Sequence, residues 1–590
     1  MKAHIYCITI FLLLLIGCSK ESKRIENQIT FAKVYGYVKY FHPSDEAAQL
    51  DWNSFSIYGA TQIGQCKSQS DVIKVLENLF KPIAPTIRFS SDISEFDSNL
   101  PVPDSLEGFK STYWQHFGVS IGMENKGRPY ESRRINRSND ESSIQLFNYQ
   151  PDTNECIIKE IGNGIYCQIP LVLYCNNDYT FPQANHDDLI KLQDELQRIK
   201  YSLTQNSYSR LGNVINVYNV FQHFYPYFDV VDVNWEDEFK SALRRCYSDE
   251  TKSDHLITLQ KFTASLKDGH IRVYDKPMTS AYAPPIAWEW VENKLIITRV
   301  EEDNDSIKLG DIVTHIDGKT SKQYFEETYS RISAATEGWL NYRANTISLL
   351  GDYDSCIELV IDGNEYQLKR TVKPYQWSRQ SVNSNKYKEI EKGIWYLNLD
   401  IIEMDTITML LPKLQDCNSI ICDLRGRPKG NHGLIQHLLA INDTTSAWMQ
   451  TPQIVYPDYD RIVGYEKHNW IGAMKTKKPY LGDKNVIFIT DGRAISYAES
   501  YMGYIEGYNL ATIIGQPTAG TNGNINPFGL PGGYKISWTG MKVIKHDGTQ
   551  QHGVGILPDI YVEKTIQGVK NGRDEFLEKA IELAKNKNAL

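Results

Sequence analysis

Between Ile394 and Ile514 the chain alternates short apolar runs with stretches of helical periodicity, and this alternation restricts the fold more than any other feature. Ile394–Leu399, Ser419–Leu424, Val486–Ile489 and Ala511–Ile514 read as strands. Asp405–Leu414, Gly433–Ile441 and Tyr497–Tyr504 read as helices. Such an order predicts a layered α/β domain with its reactive groups at the strand ends. One join stands out. A polar turn, Thr490 to Arg493, leads from a strand to a helix that starts near Ser496 and ends at Gly507. Ser496 therefore falls at a strand-to-helix corner, where the free N–H groups of the first turn point at whatever binds. Two readings are open for it: an ordinary helix cap, or an exposed nucleophile beside a ready-made oxyanion site.

The remaining chain divides into several units, since 590 residues exceed a single core at roughly 150 residues per domain. A net charge of -9 supplies no basic field, so nucleic acid is not an expected partner. At the N-terminus an apolar run, Ile5 to Ile16, has signal-peptide length and ends Leu15-Ile16-Gly17-Cys18. This resembles the lipobox of bacterial lipoproteins. It implies cleavage before Cys18, a lipid anchor on that thiol, and residence in the bacterial cell envelope, at the periplasmic face or the cell surface. Cys156, Cys167 and Cys175 cluster, but their pairing is not readable. Without HExxH or paired CxxC there is no positive case for a metal or other cofactor.

An internal repeat organises the first half. FAKVYGYVKYFHPSDEAAQLDW (31–52) and VINVYNVFQHFYPYFDVVDVNW (214–235) place their prolines, Pro43 and Pro226, and their tryptophans, Trp52 and Trp235, 183 residues apart. Their aromatic spacing predicts two short helical units. IGNGIYCQIP (161–170) is echoed more weakly by IEKGIWYLNL (390–399). The simplest account is a partial duplication, and only the second copy carries Asp268-Gly269-His270, where the first has Pro85-Thr86. The expected divisions are a signal peptide (1–17), a tether (18–27), a diverged helical copy (28–90), and a β-rich segment (91–185). A helical unit carrying His270 (186–280), a β unit (281–376) and the α/β domain (377–590) follow. In the β unit, Leu309-Gly310-Asp311-Ile312-Val313 with Ile316-Asp317-Gly318 resembles a PDZ domain, a fold that binds extended peptide as an added strand.

Separated motifs then point the same way. KDGHIRVY (267–274), ICDLRGRPKGN (421–431), AISYAESYM (494–502), IIGQPTAGTNG (513–523) and GVGILPDIYV (553–562) follow one another in order. With the PDZ-like segment they resemble the C-terminal processing, or tail-specific, serine proteases over roughly residues 200–580. That resemblance implies a crotonase/ClpP-like α/β catalytic domain in a multidomain chain, preceded here by the α+β half-copy. It makes Ser496 the nucleophile and Glu499 the motif's acidic residue. Tyr497 N–H and the Gly430 turn become the oxyanion donors. Lys429 replaces a usual glycine there, and would be strained if that position needed positive φ.

The base departs from the larger branch of that family. A Ser–Lys dyad places lysine where this chain has Thr521. The tricorn-like branch instead uses a histidine, which His270 matches, with a carboxylate whose place falls near Gln551 and His552, neither acidic. Gln551, His552 and Glu499 are the candidates to orient His270. The expected activity is an envelope serine endopeptidase acting on extended or unfolded polypeptide. The alternative is a non-catalytic peptide- or ligand-binding lipoprotein on the same fold.

Overall fold

The computed structural model describes the chain apart from residues 1, 98–99, 120–128, 138–143, 277–279, 302–305, 374–384, 446–447 and 587–590; for 2–20 it describes backbone only. The apolar run and Cys18 lie on the Lys2–Phe41 helix, with their side chains outside the described residues. No described helix is long and apolar enough to cross a membrane.

Six strands form the central sheet, in the order Tyr387–Glu391, Ile394–Asn398, Ser419–Asp423, Asn485–Thr490, Thr512–Gly515 and Ile560–Tyr561. The first pair is antiparallel and the others are parallel. Alternate residues turn to opposite faces. Leu397, Cys422 and Phe488 pack under the helices Met404–Gln415 and Tyr497–Gly507. Tyr396, Ile421 and Ile487 face Phe576, Ala580 and Ala584 of the Glu575–Lys585 helix. Because both faces are dry, these strands read as unbroken apolar runs rather than as alternation. The helix expected over Gly433–Ile441 is shorter: a 3-10 turn, His432–Leu434, runs into Ile435–Leu438. Beyond it the carbonyls of Gln436 and His437 accept from Lys477 and Leu481, so a neighbouring loop takes the bonds that further helix would have made.

Two helical units precede this domain. Trp52–Ile63 and Trp235–Ser248 begin 183 residues apart, as do Gln69–Phe80 and Lys252–Ala264. The last two helices open with capping boxes, Ser68 with Asp71 and Thr251 with Asp254. The next strands begin at Arg88 and Arg272, one residue later in the unit that holds His270. Equivalent positions of the two units face each other. A Cβ on Gly36 would lie 1.8 Å from Asn219 Oδ1, and the Phe41 and Phe224 rings stack 6.3 Å apart.

The β-rich stretch expected over 91–185 does not stand alone. Arg88–Ser90 pairs with Ile165–Pro170, whereas Trp114–Phe117 pairs with Met449–Ile454 of the α/β domain. The unit at 281–376 has its own core around Trp288, Phe325 and Leu359. It contains a four-stranded sheet, a separate hairpin (Ile286–Val291 with Lys294–Val300), and the helices Ser321–Tyr329 and Glu337–Ile347. The first of these helices starts at Ser321, where Thr320 and Gln323 form a capping box.

Candidate active site

Ser496 is not a cap. Its side chain makes no capping hydrogen bond, and its backbone sits at φ 59, ψ −109. A non-glycine residue in that region costs on the order of 1–3 kcal/mol and persists only where its surroundings hold it. Here the Ser496 N–H donates to Thr521 O at 2.9 Å, and its carbonyl accepts from Ser500 N at 2.9 Å. The result is a sharp elbow between strand and helix, the geometry that presents a serine hydroxyl at the top of a parallel sheet. Tyr497 opens the helix, so its N–H has no partner inside it.

His270 is buried and tied down on one side only. Its Nδ1 lies 2.9 Å from Thr539 Oγ1, and that hydroxyl donates to Asp268 Oδ1 at 2.8 Å. Since the hydroxyl proton goes to the carboxylate, the Thr539 oxygen accepts from Nδ1–H, which leaves Nε2 with the lone pair. Asp268, fully buried, also accepts from His270 N at 2.9 Å and Thr539 N at 2.7 Å. Burial raises the Asp268 pKa. Burial, helped by the charges of Arg272, His552 and Arg427, lowers that of His270 to about 3, so the imidazole is neutral.

Thr521 joins the two. Its hydroxyl accepts from Gly269 N at 2.9 Å, and its carbonyl takes the Ser496 N–H. The residue that stands where a lysine would complete a dyad thus clips the histidine turn to the serine elbow. Glu499, one turn into the helix and 1% exposed, secures the same clip. It accepts from Thr518 Oγ1 (2.5 Å), Gly520 N (2.8 Å), Thr521 N (2.8 Å) and Gln551 Nε2 (3.2 Å). Burial pushes its carboxyl up to about 7 against the hydrogen bonds of Thr518, Gly520, Thr521 and the Ser496 backbone.

Of the residues expected to orient His270, Glu499 and Gln551 therefore serve the Thr518–Thr521 turn. His552 stacks on Tyr227, rings 3.9 Å apart. Thr539 and Asp268 hold the imidazole instead. Asp268 was visible in the Asp-Gly-His motif; Thr539 ends a strand with no motif of its own.

The turn after Asp423 lies over Tyr497. Arg427 sits 5.7 Å from the Tyr497 ring centroid, and His432 Nδ1 meets the Tyr497 hydroxyl at 2.8 Å. Gly430 has φ +68, a conformation that glycine adopts without strain. Lys429 is absent from the positive-φ residues and pairs with Glu403 at 2.6 Å, so lysine is unstrained there. Asn431 Nδ2 fixes the turn by donating to the carbonyls of Leu399 (2.7 Å) and Ile402 (2.9 Å).

A stretch that sequence reasoning missed, Ser333 to Trp339, touches all three parts. Ser333 Oγ accepts from Asp268 N at 2.8 Å, and Thr336 Oγ1 donates to Thr518 O at 3.2 Å. Gly338 meets the nucleophile turn backbone to backbone: a Cβ on Gly492 would lie 2.6 Å from Gly338 Cα. Trp339 Nε1, buried beside Gly269, has no hydrogen-bond partner among the described residues. Among the described residues, Cys246, Asp249 and His255 are the group able to hold a metal. They are buried together in the second helical unit.

Residues 396–562 match the family model described as Peptidase family S41. This stretch of the α/β domain resembles peptidase family S41. That span includes Ser496, Thr521 and Thr539, while His270 comes from outside it. Solved structures of mature CPAF share the fold of part of this chain. One, complexed with lactacystin, has 12% identity and a TM-score of 0.52, covering 64% of this chain and 99% of CPAF. Another has 13% identity and a TM-score of 0.50, covering 64% and 98%.

Proposed function

We propose that the protein is a serine endopeptidase of the bacterial cell envelope, cleaving extended or unfolded polypeptide through an acyl-enzyme on Ser496. One observation carries this reading: the hydrogen-bonded chain Asp268–Thr539–His270, which leaves Nε2 unprotonated, is clipped through Thr521 to a strained serine elbow. In the reaction His270 Nε2 takes the Ser496 proton as Oγ attacks the scissile carbonyl. The N–H groups of Tyr497 and Gly430 receive the developing oxyanion, and His270 returns the proton to the leaving amine. Water then repeats the sequence to release the acyl group. Asp268 acts as the distant anion of a triad, speaking to the imidazole through a hydroxyl.

The unit at 281–376 is read as PDZ-like, adding substrate as a strand near the elbow. The helical unit at 28–90, with the strands after it, is read as a diverged half-copy that braces the second. Lipidated Cys18 would hold the chain to a membrane.

The test is labelling of purified protein with a fluorophosphonate. Wild type is expected to label, Ser496→Ala not at all, and His270→Ala at least about 100-fold more slowly. A folded wild type that takes no label at Ser496 would falsify the enzyme reading. Labelling unaffected by His270→Ala would remove His270 as base.

A further inference from the structure

A cavity of about 440 Å³ opens beside the histidine turn, between the second helical unit and the β unit. Gly269 lines it, so its wall is one residue from His270; Gly269 also lies against Ile495, the residue before Ser496. Its floor is apolar, with Ile332 and Leu350, but three arginines enter it: Arg272, Arg331 and Arg343. Arg272 is exposed and Arg331 and Arg343 are half-buried, and a guanidinium keeps its charge under all ordinary conditions. Here no ion pair or side-chain hydrogen bond is formed by any of the three among the described residues. Burial, and after it the charge of Arg272, push Arg343 down to about 9, and its guanidinium lies 5.9 Å from the Trp339 ring centroid. Three like charges line one largely apolar hollow, and a single carboxylate could pair with them through bidentate, charge-assisted bonds.

We infer that this cavity is a subsite for an acidic side chain of the polypeptide substrate. The inference rests on the endopeptidase reading for its place in the reaction, but not for its measurement. A Glu or Asp near the scissile bond would seat its carboxylate among Arg272, Arg331 and Arg343, and its methylene groups against Ile332 and Leu350. Cleavage would then favour sequences with an acidic residue at one fixed distance from the bond.

The test uses the full chain carrying Ser496→Ala and a set of fluorescent peptides, N-acetylated and C-amidated, identical but for one Glu or Gln scanned along them. At one position the Glu peptide is expected to bind roughly tenfold more tightly than its Gln twin. That ratio should fall to near one on adding Arg343→Gln, persist in part with Arg343→Lys, and shrink as salt is raised. No position favouring Glu, or a Glu preference untouched by both Arg343→Gln and Arg331→Gln, overturns the subsite. A preference that follows a free C-terminal carboxylate in non-amidated peptides, rather than the internal Glu, overturns it as well. The same peptides offered to wild type separate the two readings. Selective binding without any cleavage would remove the peptidase and keep the subsite; cleavage indifferent to Glu would do the reverse.

Discussion

Thr539 is the residue on which the proposed chemistry turns. Its hydroxyl is both acceptor for His270 and donor to Asp268, so a substitution that keeps shape and removes the hydroxyl leaves the buried His270 Nδ1–H unpaired and cuts its link to Asp268. Thr539→Val should slow fluorophosphonate labelling about 10- to 100-fold, the usual range for residues that orient a reacting group, while Thr539→Ser retains most of the rate. Because burial holds His270 far below its ordinary 6.5, at about 3, its basic form persists as pH falls. The wild-type labelling rate should therefore stay flat from pH 8 to pH 5, where an unperturbed histidine would already have lost most of it. An acid limb near 6.5 would contradict the buried, neutral imidazole. The serine and the histidine were legible because both sit in short motifs with a known order. Thr539 was not, since a threonine closing a strand carries no local pattern and acquires its role only where Asp268 meets it.

At the level of elements, the site depends on a loop pressed against another loop. Gly338, at the start of the Glu337–Ile347 helix, touches Gly492 in the turn that leads to Ser496. A Cβ on Gly492 would come within 2.5 Å of the Gly338 carbonyl carbon, and backbone cannot swing aside as a side chain does. Gly492→Ala is expected to destabilise by about 1–3 kcal/mol in urea titration and to slow labelling at Ser496. Gly503→Ala is the control: it lies in the nucleophile helix, its Cβ would meet His546 at an ordinary 3.7 Å, and it should gain up to about 1 kcal/mol. Strands covered on both faces were readable as apolar runs, and helix starts were readable from their caps. The short Ile435–Leu438 helix was not, because what ends it is a pair of amides from a loop some forty residues away. The Ser333–Trp339 stretch escaped for a similar reason. Its contacts are with segments distant in sequence.

Taken whole, the molecule buries histidines that must stay uncharged. His42, His116 and His270 are lowered by burial to about 3, and His546 and His552 to about 4. In the unfolded chain each would titrate near 6.5. The stability they confer is thus complete above pH 6.5 and is lost as pH falls towards their folded values. Glu499 and Asp400, both raised to about 7, act in the opposite sense and gain as pH falls below 7. His255, His432 and His468 are lowered by burial as well, and Asp268 and Glu46 raised by it, so eight histidines against four carboxyls predict a lower melting temperature at pH 4.5 than at pH 7 in thermal unfolding. An unchanged or higher value would mean that these histidines are not held neutral.

The strand pairing between Trp114–Phe117 and Met449–Ile454 carries one more consequence, in time rather than in space. Phe117 pairs with Gln453, which the ribosome adds 336 residues later. At about 5–20 residues per second, that is a wait of roughly a quarter of a minute to a minute. Throughout it, the first half of the chain presents an open strand edge and an apolar face with nothing yet made to cover them. The nascent protein must be shielded over that interval, and a truncated product ending before residue 449 should aggregate rather than fold.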